Sequence, residues 1–222
     1  MASALHDIGK VAIDDKILNK PGRLTPEEFD LMKTHTVVGA NMLERLGRYK
    51  NEALVKTAHD ICRWHHERWD GRGYPDGLAG DDIPISAQIV SIADVYDALV
   101  SKRVYKAAYS PDTAVQMILH GDCGQFNPLL LECLVEIQDV LKAEIVGRGN
   151  ESVLAAAETS AEGSRPLLRC HDNERFVGSG LDRSVPVRGG GNLPYRATIN
   201  CVIVMILRIL LKISPVYGKI RR

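Results

Sequence analysis

Through the first two thirds of the chain, apolar residues recur at intervals of three and four and nowhere sustain the every-second-residue alternation of a half-buried strand. That period restricts the fold to packed helices. Thr25-Pro26-Glu27-Glu28 carries the hydroxyl N-cap, first-turn proline and early carboxylates of a helix start. The helix so opened holds Phe29, Met32, Val37 and Leu43, with His35 near its middle or end. A second helix runs from about Asn51 through Leu54, Val55, Ala58, Ile61 and Cys62 and ends by presenting Trp64-His65-His66-Glu67. Ile89, Ile92, Ala93, Tyr96, Leu99 and Val100 mark a third; Ser110-Pro111-Asp112 opens a fourth through Ala114, Met117 and Ile118. A fifth follows Asn127-Pro128, with Leu130, Leu134, Ile137 and Leu141 on one face. Between the second and third, Asp70 to Gly80 holds four glycines and a proline in eleven positions, too many breakers for anything but a loop.

The expectation is therefore an all-α helical bundle over residues 1–146, followed by a largely irregular tail over 147–222. After Gly147 the apolar period disappears, and Gly, Ser, Arg and Asn are scattered through text that includes Gly189-Gly190-Gly191. Near the end, 201–213 is apolar but broken by Arg208 and Lys212, well short of the ~20 apolar residues of a spanning helix. It reads as a buried or interfacial segment, with a membrane span not expected. Lys plus Arg equals Asp plus Glu at 28 each, so no overall field draws the chain to a DNA or RNA polymer or to an anionic membrane, and any phosphate binding is local. The five cysteines are odd in number and form no Cys-x-x-Cys pair, which argues against a disulfide framework and a thiolate zinc site. With no secretory signal at the start, a reducing cytoplasm is the expected compartment.

Divalent cations that activate water for phosphodiester hydrolysis need imidazole and carboxylate ligands facing one cavity, with a position left for water. The chain offers His6-Asp7, His35, His65-His66 and Asp94, all in or beside helical segments. A lone histidine on a helix is ordinarily a packing or capping residue. Adjacent His-Asp and His-His pairs in one small bundle are different, because burying them without a cation leaves their nitrogens and charges uncompensated. Asp7 is the best candidate to bridge two cations, since a carboxylate has two oxygens where an imidazole has one free nitrogen.

His6-Asp7-Ile8-Gly9-Lys10 resembles the HD signature, and the run from His65-His66-Glu67 through Asp70-Gly71-Arg72-Gly73-Tyr74-Pro75 is similar to the HD-GYP signature at nearly every position. Further matches in the same order are Ile92-Ala93-Asp94-Val95-Tyr96-Asp97, Arg103-Val104-Tyr105-Lys106 and Gly124-Gln125-Phe126-Asn127-Pro128. The resemblance covers roughly residues 4–146. It implies an all-helical phosphodiesterase that opens cyclic di-GMP to the linear dinucleotide or onward to GMP, using two or three divalent ions, iron or manganese. By position it implies His6, Asp7, His35, His65, His66 and Asp94 as metal ligands, and Asp7 and Lys10 as catalytic, Lys10 neutralising the phosphate. Gly73, Tyr74 and Pro75 would line the guanine side, and Arg103 and Lys106 would hold a phosphate. Expected partners are cyclic di-GMP, a regulatory receiver or sensor domain, and a homo-oligomer.

The chain departs from the family pattern in three places. Only five residues precede His6, where family members carry helices that supply a further metal-binding histidine. The expectation is a ligand set short by at least one, with weak metal binding; the alternative function is an impaired module that acts by binding nucleotide or protein. Gln88 stands where arginine is usual, and Asn127 where aspartate is usual. His59, His120 and His171 match no assigned position.

Overall fold

The computed structural model describes residues 2–101, 107–155 and Ile203. Helices account for its regular structure. They are α1 (Asp15–Leu18), α2 (Pro26–Glu44), α3 (Ala53–Trp64), α4 (Ile85–Val100), α5 (Pro111–His120) and α6 (Pro128–Ala155), with short 3-10 turns at Ala2–Leu5, Ile8–Ala12, Gly47–Tyr49 and Gly80–Asp82. Among the described residues, β pairing is limited to one isolated bridge, Asp70 with Ala79, inside the glycine-rich loop. The all-α expectation holds.

Local chemistry explains where the helices begin. Thr25 and Glu28 form a reciprocal capping box: Thr25 N–H donates to the Glu28 carboxylate at 2.8 Å, and Glu28 N–H to Thr25 Oγ1 at 3.3 Å. Ser110 caps α5 by accepting from Thr113 N–H at 3.1 Å, and Gly121 ends that helix in the left-handed region at φ +80°. Asn127 Oδ1 accepts from Leu129 N–H at 2.9 Å ahead of α6.

Two apolar clusters hold the bundle. The larger joins α4, α5 and α6 through Ile92, Tyr96, Ile118, Leu130, Leu134 and Leu141, and it includes Ile203 from the apolar segment of the tail, fully buried. Each such side chain contributes on the order of 1.5–3 kcal/mol by leaving water. The smaller cluster lies beneath the amino-terminal turns: Ala2, Leu43, Ala58, Ile61, Cys62 and Val90. Helix α4 serves both, because Val90 points to one and Ile89 and Ile92 to the other.

Helix α2 buries a face different from the expected one. Phe29 is 46% and Leu31 54% exposed, whereas His35, Thr36, Gly39 and Ala40 are buried with Leu43. The cause is the Ile8–Ala12 turn, which packs on α2 so closely that a Cβ at Gly9 would lie 1.9 Å from the His35 carbonyl oxygen and 2.6 Å from Gly39 N. Small residues are required at that crossing. Leu54, expected on the inner face of α3, is likewise exposed. Helix α6 continues past position 146 to Ala155, so the expected end of the bundle falls inside a helix.

Candidate metal centre

The six candidate ligands come from four separate local structures. His6 and Asp7 sit at the junction of the first two 3-10 turns, His35 in the middle of α2, His65 and His66 just past the end of α3, and Asp94 on α4. Three of the imidazoles are steered by the turn they occupy. His6 Nδ1 lies 2.8 Å from Ser3 O, His35 Nδ1 2.7 Å from Met32 O, and His65 Nδ1 2.9 Å from Ile61 O and 3.1 Å from Cys62 O. A carbonyl can only accept, so each Nδ1 carries a proton, and in the neutral ring Nε2 is then the nitrogen that presents a lone pair.

Those lone pairs meet around Asp7. His35 Nε2 is 3.4 Å and His65 Nε2 3.9 Å from Asp7 Oδ1; His6 Nε2 is 3.4 Å from Asp7 Oδ2 and 3.8 Å from Asp94 Oδ1. Lys10 Nζ donates to Asp7 Oδ2 at 2.5 Å. The two carboxylate oxygens thus face different imidazoles. Two compact sets of ligand atoms result, His35 with His65 and His66, and His6 with Asp7 and His65, each set lying within 4.8 Å. A cation held at ~2.0–2.2 Å by its ligands separates neighbouring donors by roughly 3–3.5 Å, close to these spacings.

Protonation states suit the same role. Burial, aided by the neighbouring cationic groups, pulls the His35 imidazole below its ordinary range, His66 well below it, and His65 to about 3. All three are neutral at pH 7. Burial alone would raise the Asp7 carboxyl, but the positive charge facing it, the Lys10 ammonium included, holds it well below the usual carboxylate range. Burial also pushes the Cys62 thiol up to about 12, so it is no thiolate ligand. A decisive feature is that His35 Nε2 and His65 Nε2 are buried and receive no hydrogen bond among the described residues. Nitrogens stranded in this way are costly unless a cation takes their lone pairs, and the residues present therefore fit one.

His66 differs from the other three. No hydrogen bond orients its ring among the described residues; instead Tyr74 stacks on it with centroids 4.7 Å apart and planes 26° off parallel. Tyr74 also meets Phe29 edge to face at 6.1 Å. The loop bearing Tyr74 is tied down twice. Asp76 takes Arg63 Nε and Nη2 at 2.7 and 2.9 Å and Trp64 Nε1 at 2.7 Å, while Glu67, 2% exposed, accepts the backbone N–H groups of Asp76 and Gly77 at 2.7 and 3.0 Å. Gly73 passes so near that a Cβ there would lie 2.3 Å from Glu67 Cα.

A family model described as HD domain matches residues 1–126, more than half of the chain. The chain belongs to the HD-GYP family of HD domains. Among curated proteins, this HD-GYP chain is 43% identical over 166 residues to the probable cyclic di-GMP phosphodiesterase of Vibrio cholerae serotype O1, covering 73% of the chain and 38% of that protein. It is 44% identical over 147 residues to the cyclic di-GMP phosphodiesterase of Thermotoga maritima, covering 64% of the chain and 39% of that protein. It is also 46% identical over 138 residues to 3′3′-cGAMP-specific phosphodiesterase 2 of Vibrio cholerae, covering 62% of the chain and 26% of that protein. The chain thus spans between about a quarter and two fifths of the length of these relatives.

Of the residues singled out from the sequence, His6, Asp7, Lys10, His35, His65 and His66 converge, with Tyr74 on the rim. Asp94 borders His6 but belongs to neither compact set. Gly73 and Pro75 flank Tyr74 in the loop; Arg103 and Lys106 lie outside the described residues. His59 pairs with Glu44 and Asp60 away from the centre. Glu67 was not singled out from the sequence, although it directly follows the His-His pair. No helix among the described residues is long and apolar enough to cross a membrane.

Proposed function

We propose that the domain is a metal-dependent phosphodiesterase that hydrolyses cyclic di-GMP to linear pGpG and/or GMP in bacterial second-messenger signalling. The observation that carries this reading is the convergence of lone-pair nitrogens, each steered by its own backbone carbonyl, on an ionised and centrally placed Asp7. His6, Asp7, His35, His65, His66 and Asp94 would hold two or three divalent ions, iron or manganese. Such ions supply Lewis-acid polarisation of a phosphodiester and let a water ionise near neutral pH.

The protein's own groups do the rest. Lys10 keeps Asp7 ionised and places an ammonium beside the phosphate position. Tyr74, with Gly73 and Pro75, forms the nucleobase side of the cleft, and Arg103 and Lys106 are proposed for the phosphate that is not cut. We place the reaction in the cytoplasm, under a receiver or sensor domain and in a homo-oligomer. The relative named for 3′3′-cGAMP favours a second substrate reading, cyclic GMP-AMP, at the same site.

Purified protein loaded anaerobically with iron or manganese should hydrolyse cyclic di-GMP, and Asp7→Asn and His66→Ala should lower kcat/KM by at least about a hundredfold, consistent with the several kcal/mol that such ions supply. Running both cyclic dinucleotides side by side separates the two substrate readings. Stoichiometric metal without turnover of either would leave the binding-module alternative; no bound metal at all would overturn the reading.

A further inference from the structure

His6, His35 and His65 each take their ring orientation from a carbonyl of their own turn, whereas His66 has no such hold. Its ring is held among other rings instead. Tyr74 stacks at 4.7 Å, and the His65 ring lies 4.1 Å away at 42°. The His35 ring also meets it edge-on at 5.2 Å, but His35 and His65 are themselves held by carbonyls, so the contact that the loop sets is that of Tyr74, and what places Tyr74 is the residue next to His66 in sequence. Gly77, at φ +69°, turns the loop so that two successive amides, of Asp76 and Gly77, point at one place. Such a row of amides is an anion cradle, of the kind that elsewhere grips phosphate. Here its occupant is already present: the Glu67 carboxylate, buried, with both amides on Oε1. Loop and ligand segment are closed further by the Tyr74 N–H donating to His66 O at 3.3 Å and by Gly73 lying flat on Glu67.

We propose that Glu67 is a positioning residue for the metal centre: by filling the amide cradle of the 73–77 loop it holds Tyr74 against His66 and so aims the one imidazole that no carbonyl steers. Glu67 touches neither metal nor substrate. Its effect passes through two contacts, carboxylate to loop and ring to ring, and it makes the nucleotide loop and the metal ligands one mechanical unit. The inference rests on the proposed metal reading but concerns ligand orientation, which can be followed without turnover.

The experiment is manganese binding to the full chain, followed by the spectrum of free and bound Mn(II), for Glu67→Ala, Glu67→Gln, Tyr74→Phe, Tyr74→Ala and each Glu67 change combined with His66→Ala. Glu67→Ala and Tyr74→Ala should weaken manganese about tenfold, the scale on which groups that orient ligands act. Glu67→Gln retains an oxygen for both amides and Tyr74→Phe retains the stacking face, so both should bind nearly as the parent does. The decisive arm is the double variant. In the His66→Ala background, Glu67→Ala should cost almost nothing further, because the two act through one ring. Full additivity there, or unchanged manganese affinity in Glu67→Ala, would overturn the coupling while the metal reading stands. A parent protein that takes up no manganese would overturn both.

Discussion

Asn127 Nδ2 donates to Gln88 Oε1 at 2.9 Å, which joins the two positions where the family resemblance leads one to expect aspartate and arginine. The departures meet in one contact. The contact is a neutral amide pair, and each partner spends its second group locally: Gln88 Nε2 on Ile83 O at 2.7 Å, and Asn127 Oδ1 on the first turn of α6. Changing Asn127 to Asp alone would set a carboxylate oxygen against Gln88 Oε1 with no proton between them. The expected cost is about 1–3 kcal/mol in urea unfolding. Adding Gln88→Arg should recover most of it, giving a coupling that simple additivity would deny.

Metal-free protein should lose stability as the pH falls from 7.5 to 5.5. His35, His65 and His66 have folded pKa values below the ordinary 6.5, His65 at about 3, so in this window the unfolded chain binds protons that the folded chain refuses. Stability from this source is complete above about pH 6.5 and declines below it, at a limit of about 1.4 kcal/mol per pH unit for each imidazole. Asp7, held low, stays ionised throughout this range and adds no slope. Denaturation midpoints that are flat or rise toward pH 5.5 would contradict buried neutral imidazoles.

Gly9→Ala should damage both fold and centre. The added methyl would meet the backbone of His35 and Gly39, which cannot swing aside as a long side chain can. Overpacking of this kind costs about 1–3 kcal/mol, here toward the upper end. The turn carrying His6 and Asp7 would lift off α2, so manganese affinity should fall together with the melting temperature. A stable Gly9→Ala protein with normal manganese uptake would show that the close crossing is dispensable.

Ile203 is fully buried among α4, α5 and α6 despite lying far beyond the family match. Truncating it to alanine should cost about 2–5 kcal/mol, as for a well-packed core isoleucine. An unfolding midpoint unchanged by Ile203→Ala would remove this residue from the core.

Helix starts were legible because caps are local: Thr25 with Glu28 and Ser110 with Thr113 are interactions within one turn, written in adjacent letters. The convergence of His6, Asp7, His35, His65 and His66 was legible because histidine and aspartate side by side have few other uses in a small core. The buried face of α2 was only partly so, since spacing shows that a helix has a face but not which neighbour approaches it; the glycine crossing leaves Phe29 exposed while His35 and Leu43 are buried. Glu67 was illegible for a similar reason. Its partners are backbone amides nine and ten residues on, and an amide leaves no mark in the sequence.

An imidazole steered by the carbonyl behind it needs nothing from the next helix to point correctly. His6, His35 and His65 are self-aiming in this sense, so small shifts between helices move these donors without rotating them. On the proposed metal reading, a cage of such parts would keep the same three nitrogens in play around ions of different radius.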